Sequence, residues 1–243
     1  MIVFLHGVPE TAAIWRKVRA AIPSESVALS LPGFGTARPN GFGATKDDYA
    51  AWLVAELSQF TEPVDLVAHD WGALLAYRVV TTHSELVRSW VADVAAGIHP
   101  DSEWHAFAKI WQTPVEGEAF FEKQGAAGTE EVAKRYTALG LSEEDALELA
   151  SGGDATMASS ILDLYRSATP NLYADWGPFK APGKPGLVLH ASEDHFSNEE
   201  LSKTVAAELG AKYHRFDGIG HFWPYQAPEL GASVLEDFWS SVD

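Results

Sequence analysis

Val64-Asp65-Leu66-Val67-Ala68-His69-Asp70-Trp71-Gly72-Ala73-Leu74 is the stretch of sequence that decides the fold. Its first half is an apolar run rich in branched side chains that ends at Ala68, and a helical pattern follows Gly72. The small residues on either side of Asp70 have the spacing of a nucleophile elbow, a strained strand-to-helix turn from which the central side chain projects. The stretch therefore predicts a buried strand, a tight turn and a helix, with Asp70 presented at the turn.

An aspartate at the centre of such an elbow predicts a particular chemistry. A carboxylate is already ionised at neutral pH and can displace a leaving group from saturated carbon, which leaves an alkyl ester on the enzyme. The predicted substrate of Asp70 is accordingly an alkyl electrophile, since acyl chemistry normally uses serine at this point. The alternative for Asp70 is a structural one, because many aspartates that follow a strand only cap the next helix.

A second motif opens the chain, Ile2-Val3-Phe4-Leu5-His6-Gly7-Val8-Pro9-Glu10. It is interpreted as a buried strand running into a Gly-Pro turn, with Thr11 positioned to cap the following helix. A turn of this kind can present a backbone N–H to the substrate, so the N–H groups of Val8 and Trp71 are predicted to form an oxyanion hole. The alternative is an ordinary strand-to-helix loop.

Two later motifs supply a candidate acid and a candidate base. The run Gly186-Leu187-Val188-Leu189-His190-Ala191-Ser192-Glu193-Asp194-His195 predicts a strand with Asp194 at its carboxyl end. A glycine-flanked histidine, His221, lies in Gly218-Ile219-Gly220-His221-Phe222-Trp223-Pro224 before the last helix. Nucleophile, acid and base then follow in the order Asp70, Asp194, His221, which is the chain order of the α/β-hydrolase triad.

With these motifs the chain resembles the α/β-hydrolase superfamily, and within it the aspartate-nucleophile branch of epoxide hydrolases and haloalkane dehalogenases. His6-Gly7-Val8-Pro9 is similar to the oxyanion motif of the branch, and His69-Asp70-Trp71-Gly72 is similar to its elbow. The resemblance covers almost the whole chain and implies an α/β fold with a mostly parallel, doubly wound sheet and an inserted helical cap. Relatives usually have two further strands before the first one here, so either the N-terminal edge strands are missing from the sheet or the chain is short at this end. No metal or organic cofactor is required by the implied mechanism.

The resemblance leaves the triad acid open between two positions. Some dehalogenases carry the acid at the end of an earlier strand, where this chain has Asp93 in Val91-Ala92-Asp93-Val94. Asp194 is favoured because its Ala-Ser-Glu-Asp loop resembles the later-strand version, and Asp93 is then interpreted as a cap for the following turn.

The leaving group depends on the aromatic residues of the predicted cap. An epoxide oxygen leaves as a strong base and needs a proton donor, which in epoxide hydrolases is a pair of cap tyrosines. Tyr165 resembles the second of these, whereas Phe107 stands where the first is expected. A halide needs only N–H donors in a dry slot, for which Trp71 together with Trp104 or Trp111 is the alternative, although simple packing of the lid also explains these two cap tryptophans. The resemblance thus favours epoxide hydrolysis to a vicinal diol, with haloalkane dehalogenation as the second interpretation. A haloacid substrate is disfavoured, because Trp71 and Leu74 stand where fluoroacetate dehalogenases have the paired arginines that hold the substrate carboxylate. A non-catalytic ligand-binding protein is a third possibility.

Composition is consistent with one large α/β core. The chain has 243 residues, of which 47% are hydrophobic, and no cysteine, which excludes disulfides and thiol chemistry and is typical of a cytoplasmic protein. A net charge of −17 disfavours nucleic acid and acidic membranes, and no run is long enough to cross a bilayer. The predicted partner is a small, neutral, apolar substrate, bound by a monomer or homodimer.

Alternating strand-like and helix-like segments predict the domain organisation. The core is assigned to residues 1–97 and 186–243, and the cap to residues 98–185, which ends in the rigid segment Ala181-Pro182-Gly183-Lys184-Pro185. Strands are predicted at Ile2–Leu5, Ser26–Leu31, Val64–His69, Val87–Ala95, Gly186–Ala191 and Lys212–Phe216. Core helices are predicted at Ala12–Ala21, Lys46–Gln59, Ala73–Thr82, Asn198–Glu208 and Pro228–Ser240, and cap helices at Glu130–Ala138, Glu143–Ala150 and Ala155–Ser167.

Overall fold

The fold is built on one six-stranded sheet in which every pair of neighbouring strands is parallel. It was obtained as a computed structural model that describes residues 1–242. The strand order is β2-β1-β3-β4-β5-β6, so β1 and β3 lie side by side near the centre of the sheet. Within the described residues the sheet has no strand outside β2. The strands are β1 (Ile2–Leu5), β2 (Ser26–Leu29), β3 (Val64–Ala68), β4 (Val87–Ala92), β5 (Gly186–Ala191) and β6 (Lys212–Phe216).

Strands β1, β3 and β5 are buried along their whole length and are mostly apolar, whereas the edge strands β2 and β6 are half-buried or partly exposed. Along β1, Val3 and Leu5 belong to one hydrophobic cluster, whereas Ile2 and Phe4 belong to a second cluster on the opposite face. The first cluster contains α2 (Lys46–Leu57), α3 (Trp71–Thr82) and α10 (Glu199–Glu208), and the second contains α1 (Arg16–Ala21) and α12 (Pro228–Ser240). The predicted doubly wound α/β architecture is therefore confirmed.

Most of the predicted element boundaries agree with the structure to within two residues, with two exceptions. The predicted strand Val87–Ala95 ends at Ala92, because Val94 has a φ of 42° and a left-handed residue cannot continue a strand. The predicted helix Ala12–Ala21 begins with a 3₁₀ turn, Ala12–Trp15, before α1.

Helices occupy the chain between β4 and β5, where the strand pattern disappears from the sequence. We call this part the helical segment, residues 95–176. Sequence periodicity identified three of its α-helices and missed α4, α5 and α9, since two of these are only seven and five residues long and α5 has a mixed composition. The segment begins with the 3₁₀ turn Ala95–Ile98 and then contains α4 (Ala106–Gln112), α5 (Glu116–Ala127), α6 (Thr129–Ala138), α7 (Glu143–Ser151), α8 (Ala155–Arg166) and α9 (Leu172–Trp176).

The helical segment is attached to the core by polar contacts near α2. Arg38 Nη1 lies 2.6 Å from Asp163 Oδ2, and the backbone N–H of Lys46 donates to Ser167 Oγ over 2.8 Å. The short helix α11 (Trp223–Gln226) follows the loop that carries His221. None of the helices formed by residues 1–242 is both long and apolar enough to span a membrane.

Candidate active site

Asp70 lies in a strained turn between β3 and α3. Its φ is 51° and its ψ is −124°, values that are rare for any residue other than glycine and that occur mostly at functional sites. Gly72 is required there, because a Cβ on it would stand 2.5 Å from the carbonyl oxygen of His6 and 2.7 Å from that of Leu5. The close approach of Gly72 to the end of β1 thus explains why the elbow pattern has a small residue at this position.

The loop after β1 holds one oxygen of the Asp70 carboxylate. The N–H of Val8 donates to Asp70 Oδ1 over 2.7 Å. Gly7 lets the loop approach so closely, since a Cβ there would overlap Asp70 Oδ1 and would lie 2.6 Å from the backbone nitrogen of Trp71. The two predicted oxyanion donors are therefore adjacent to the carboxylate, with the Val8 N–H already bonded to it.

His221 lies between Asp70 and Asp194. Its Nδ1 is 2.9 Å from Asp194 Oδ2, and its Nε2 is 3.7 Å from Asp70 Oδ2. The N–H of Phe196 donates to Asp194 Oδ1 over 2.8 Å, which fixes that carboxylate and leaves Oδ2 for the histidine. The structure thus brings together the three residues that the sequence predicted as nucleophile, acid and base.

Asp93 contacts a different histidine. Its Oδ2 lies 2.5 Å from Nδ1 of His69 and accepts the indole N–H of Trp223 over 2.8 Å, while its Oδ1 accepts the N–H of Asp70 over 2.9 Å. The alternative triad acid is therefore directed to His69 and not to His221, and it anchors the elbow instead of capping the following turn.

A buried network continues behind the elbow to Glu10. His69 Nε2 lies 3.0 Å from Glu10 Oε1, and Glu10 Oε2 accepts the N–H of Gly7 over 2.9 Å. Burial opposes charge on both groups, but the carboxylates raise the pKa of His69 well above its usual value, and His69 lowers the pKa of Glu10. Glu10, His69 and His221 also bring three potential metal-ligand atoms within 4.8 Å of one another. The contact between Glu10 and His69 is an ion pair between a carboxylate and a histidine whose pKa is raised.

Asp70 is largely anionic at neutral pH, even though its surroundings raise its pKa. Burial raises the pKa of Asp70 to about 6, although the charge of His221 and the Val8 N–H work in the opposite direction. Burial disfavours the charged form of His221, but the charge and hydrogen bond of Asp194 outweigh burial and raise its pKa. The Asp194 carboxyl has a lowered pKa, since the stabilising effect of His221 exceeds the cost of burial. Asp194 and His221 thus stabilise each other's charged forms.

A cavity of about 110 Å³ opens above Asp70 and His221. Its lining is mostly aromatic and comes largely from the helical segment, including Phe107, Trp111 and Tyr165. Trp104 does not line this cavity; its indole N–H donates to the carbonyl of Ala168 over 2.9 Å. This hydrogen bond leaves Trp104 without the free N–H that a leaving-group donor needs, so its predicted contact with the leaving group is not supported by the structure.

The lining also contains residues to which sequence reasoning gave no role. His105, Tyr136 and Phe196 line the cavity, and Phe196 packs against the ring of His221 with 5.0 Å between centroids. Tyr136 lies on a predicted helix and His105 in a stretch where no element was predicted, and neither carries a local signal of its own. Only the packing of the helical segment over the sheet brings these side chains to Asp70.

Comparison with known proteins gives consistent results. The chain is 25% identical, over 88% of its length and 81% of the relative, to a haloalkane dehalogenase from Bradyrhizobium diazoefficiens. Among solved structures it is similar to an epoxide hydrolase mutant from Solanum tuberosum, with a TM-score of 0.79, 21% identity and coverage of 99% of this chain and 92% of that one. It is also similar to a haloalkane dehalogenase loop variant from Bradyrhizobium elkanii, with a TM-score of 0.71, 19% identity and coverage of 99% and 90%. The sequence profile of the alpha/beta hydrolase family matches residues 2–233, and the chain belongs to this family.

Proposed function

We propose that this protein hydrolyses epoxides to vicinal diols through a covalent alkyl ester on Asp70. One observation carries the proposal: the Asp70 carboxylate is held at a strained elbow with Oδ1 on the Val8 N–H and Oδ2 3.7 Å from Nε2 of His221. A carboxylate attacks saturated carbon without prior deprotonation. Oδ2 is available for the attack, since within residues 1–242 no backbone N–H donates to it. The aromatic lining of the cavity supports a small, neutral, apolar substrate.

In the first step Asp70 Oδ2 forms a bond to an epoxide carbon while the C–O bond of the ring breaks. The electron pair moves to the ring oxygen, which takes a proton from the Tyr165 hydroxyl. That hydroxyl donates no hydrogen bond within residues 1–242, and Tyr165 lines the cavity together with Asp70. Burial and the charge of Asp70 raise the pKa of Tyr165, so its hydroxyl is protonated before the reaction. The nearby indole of Trp71 lowers this pKa, but its Nε1 forms no hydrogen bond of ordinary geometry within residues 1–242.

In the second step His221 removes a proton from the water that attacks the ester carbonyl. Burial lowers the pKa of His221, Asp194 raises it most, and the negative charge of Asp70 adds a smaller increase. Loss of the Asp70 charge on alkylation therefore lowers the pKa of His221, which helps the imidazole to act as a base. The oxyanion that forms is stabilised by the N–H groups of Val8 and Trp71, an interaction worth about 3 kcal/mol per donor. The tetrahedral intermediate collapses with cleavage of the ester C–O bond, and the departing alkoxide takes the proton held by His221 to complete the diol. The second proton of the water restores Tyr165, and Asp70 is again a carboxylate.

The proposal also assigns a role to the helical segment, residues 95–176. We infer that it acts as a cap that excludes water during alkylation, since its side chains form most of the cavity wall. Residues 98–185 would then form the cap and residues 1–97 and 186–243 the hydrolase core.

The covalent intermediate can be trapped. In His221→Gln the first step is retained and the second is lost, so mixing this variant with styrene oxide should add the mass of one epoxide to the intact protein, on a peptide that contains Asp70. Asp70→Asn is the matched control and should remain unmodified. An unmodified His221→Gln protein, given an epoxide that the wild type hydrolyses, would contradict the two-step scheme. A protein that only binds its ligand would form no adduct and no diol.

Haloalkane dehalogenation is the second candidate, and one observation favours it. The indole nitrogens of Trp71 and Trp111 are buried and have no hydrogen-bond partner among residues 1–242, which would suit a halide. In the His221→Gln background, Tyr165→Phe should abolish alkylation by styrene oxide but leave alkylation by a bromoalkane nearly unchanged, because bromide is a weak base that needs no proton. Bromide release that is lost in Trp71→Phe, with no diol formed from any epoxide, would establish the dehalogenase instead.

A further inference from the structure

His105 is a residue at the active site to which no role has been assigned. It precedes α4, and its Nδ1 accepts the backbone N–H of Ala108 over 3.2 Å as the N-cap of that helix. An imidazole nitrogen that accepts a hydrogen bond carries no proton, so the neutral ring bears its proton on Nε2. The helix cap therefore fixes the tautomer of His105.

Aromatic side chains surround the His105 ring. The ring centroids of Phe196 and Tyr165 lie 5.0 Å and 6.2 Å from it, and Trp111 lies edge-on at 6.0 Å. Phe196 is equally close to His221, so the two histidines flank one phenylalanine. Burial lowers the pKa of His105 to about 4, and the charge of His221 acts in the same direction. The imidazole is therefore neutral at the pH where Asp70 is ionised.

His105 also stands where two cavities meet at the nucleophile. One cavity of about 110 Å³ and another of about 80 Å³ share four lining residues, namely Asp70, His105, Tyr165 and Phe196. Within residues 1–242, Nε2 of His105 has no hydrogen-bond partner. A polar group in an aromatic wall beside the nucleophile is thus left free to bind a ligand atom.

We propose that the Nε2–H of His105 is the second hydrogen-bond donor to the oxygen that leaves when the epoxide opens. This inference rests on the proposed function and supplies the donor that Phe107 cannot provide. Asp70 Oδ2 forms the new C–O bond, the ring C–O bond breaks, and the ring oxygen receives its electron pair. Tyr165 transfers its proton to that oxygen, whereas His105 keeps its proton and stabilises the developing charge by a hydrogen bond.

Two substitutions separate this role from the capping of α4. In His105→Asn the amide oxygen stands near the position of Nδ1 and keeps the cap, but the Nε2 donor is lost. In His105→Gln the side-chain N–H reaches the position of Nε2, but the cap is lost. In the His221→Gln background, we expect His105→Asn to slow alkylation by styrene oxide by about 100-fold at saturating epoxide. His105→Gln should retain most of the rate.

The leaving group provides the readout that a purely structural role would not change. Alkylation by 1-bromo-2-phenylethane, which has a similar shape but releases a weak base, should be little affected by either substitution. Asn171→Ala is the control for general loosening, since Asn171 caps the neighbouring helix α9 and lies outside both cavities. It should leave both alkylation rates unchanged.

Three results would overturn the inference. One is an unchanged epoxide rate in His105→Asn, and another is an equal loss in His105→Asn and His105→Gln. The third is a loss for the bromide as large as for the epoxide. Failure of the proposed function is distinguishable from all three, because the His221→Gln protein without a second substitution would then form no ester with any epoxide.

Discussion

Asp93 and Asp194 both follow parallel strands of the sheet, yet they contact different histidines. Asp194 Oδ2 lies 2.9 Å from His221, whereas Asp93 is bound to His69, to the indole of Trp223 and to the backbone of Asp70. An acid that orients the base affects ester hydrolysis, while an acid that holds a buried cation affects mainly the stability of the fold.

We therefore expect Asp194→Asn to accumulate the Asp70 ester during turnover and to lower kcat by roughly 10³- to 10⁴-fold. Alkylation itself should change little, because it does not use His221 as a base. Intact-protein mass spectrometry during turnover, combined with single-turnover alkylation rates, measures both effects. Ester that accumulates in Asp93→Asn and not in Asp194→Asn would reverse the assignment.

Asp93→Asn should instead destabilise the protein, by about 3 kcal/mol, because it leaves the buried His69 with only one carboxylate. Urea unfolding of the variant measures this loss. Stability equal to that of the wild type would show that Glu10 alone is sufficient to balance His69.

The burial of His6 predicts how the stability of the fold depends on pH. Its side chain is fully buried, with Nδ1 2.9 Å from the carbonyl of Gly7 and Nε2 accepting the N–H of Leu31. Burial lowers its pKa from 6.5 to about 4. Between these pH values the unfolded chain binds a proton that the folded chain does not, so stability is lost as the pH falls from 6.5 and the loss levels off below about 4.

The loss of folding stability caused by His6 over this pH range amounts to about 3 kcal/mol. His6→Gln, which keeps an acceptor for Leu31, should lack this part of the pH dependence. Urea unfolding of both proteins across this pH range gives the difference directly. The same slope in variant and wild type would place the acid sensitivity in other histidines.

At the scale of the element, the elbow depends on close contact between α3 and the end of β1. A Cβ at Gly72 would lie 2.5 Å from the carbonyl oxygen of His6, and backbone atoms on both sides would have to shift. Gly125 in α5 is the opposite case, since nothing lies within 4 Å of the position of its Cβ.

Gly72→Ala should consequently lower the free energy of unfolding by about 3 kcal/mol and reduce alkylation as the elbow moves. Gly125→Ala should raise stability by about 0.5–1 kcal/mol, because alanine loses less backbone entropy in a helix. Thermal unfolding of the two variants side by side tests the contrast. Equal effects would mean that the elbow can relax without cost.

At the scale of the whole molecule, the net charge of −17 determines which substrates can approach. A field of this sign repels anions, is screened by salt and does not act on neutral molecules. Arg135 is the one arginine or lysine among the residues that line the cavity of about 110 Å³, and no carboxylate in residues 1–242 forms an ion pair with it.

The value of kcat/KM for styrene oxide should be insensitive to salt between low ionic strength and about 0.5 M, whereas that for a carboxylate-bearing epoxide should rise several-fold as repulsion is screened. Initial rates at a series of salt concentrations measure both. A decrease with salt for the acidic epoxide would show that Arg135 outweighs the global field, and Arg135→Gln would then remove the decrease.

The sequence by itself determined the features that depend on neighbouring residues. The apolar run before Asp70 and Gly72 after it predicted the strand, the elbow and the helix, because strand propensity and the space needed by a tight turn are local properties. The order of Asp70, Asp194 and His221 along the chain predicted their convergence, since the carboxyl ends of parallel strands meet at one edge of a sheet.

Only the tertiary structure decided which side chains meet across the site. Asp194 and not Asp93 reaches His221, and the N–H of Trp104 is taken by a carbonyl 64 residues away. These contacts depend on the order of strands in the sheet and on how each helix of the helical segment is rotated over it. Neither is encoded in any short window, because a helix can turn the same aromatic residue toward the cavity or toward its neighbours with the same sequence pattern. The position of His105 beside Asp70, and the bonding of the Trp104 indole to Ala168, are accordingly properties of the packed molecule.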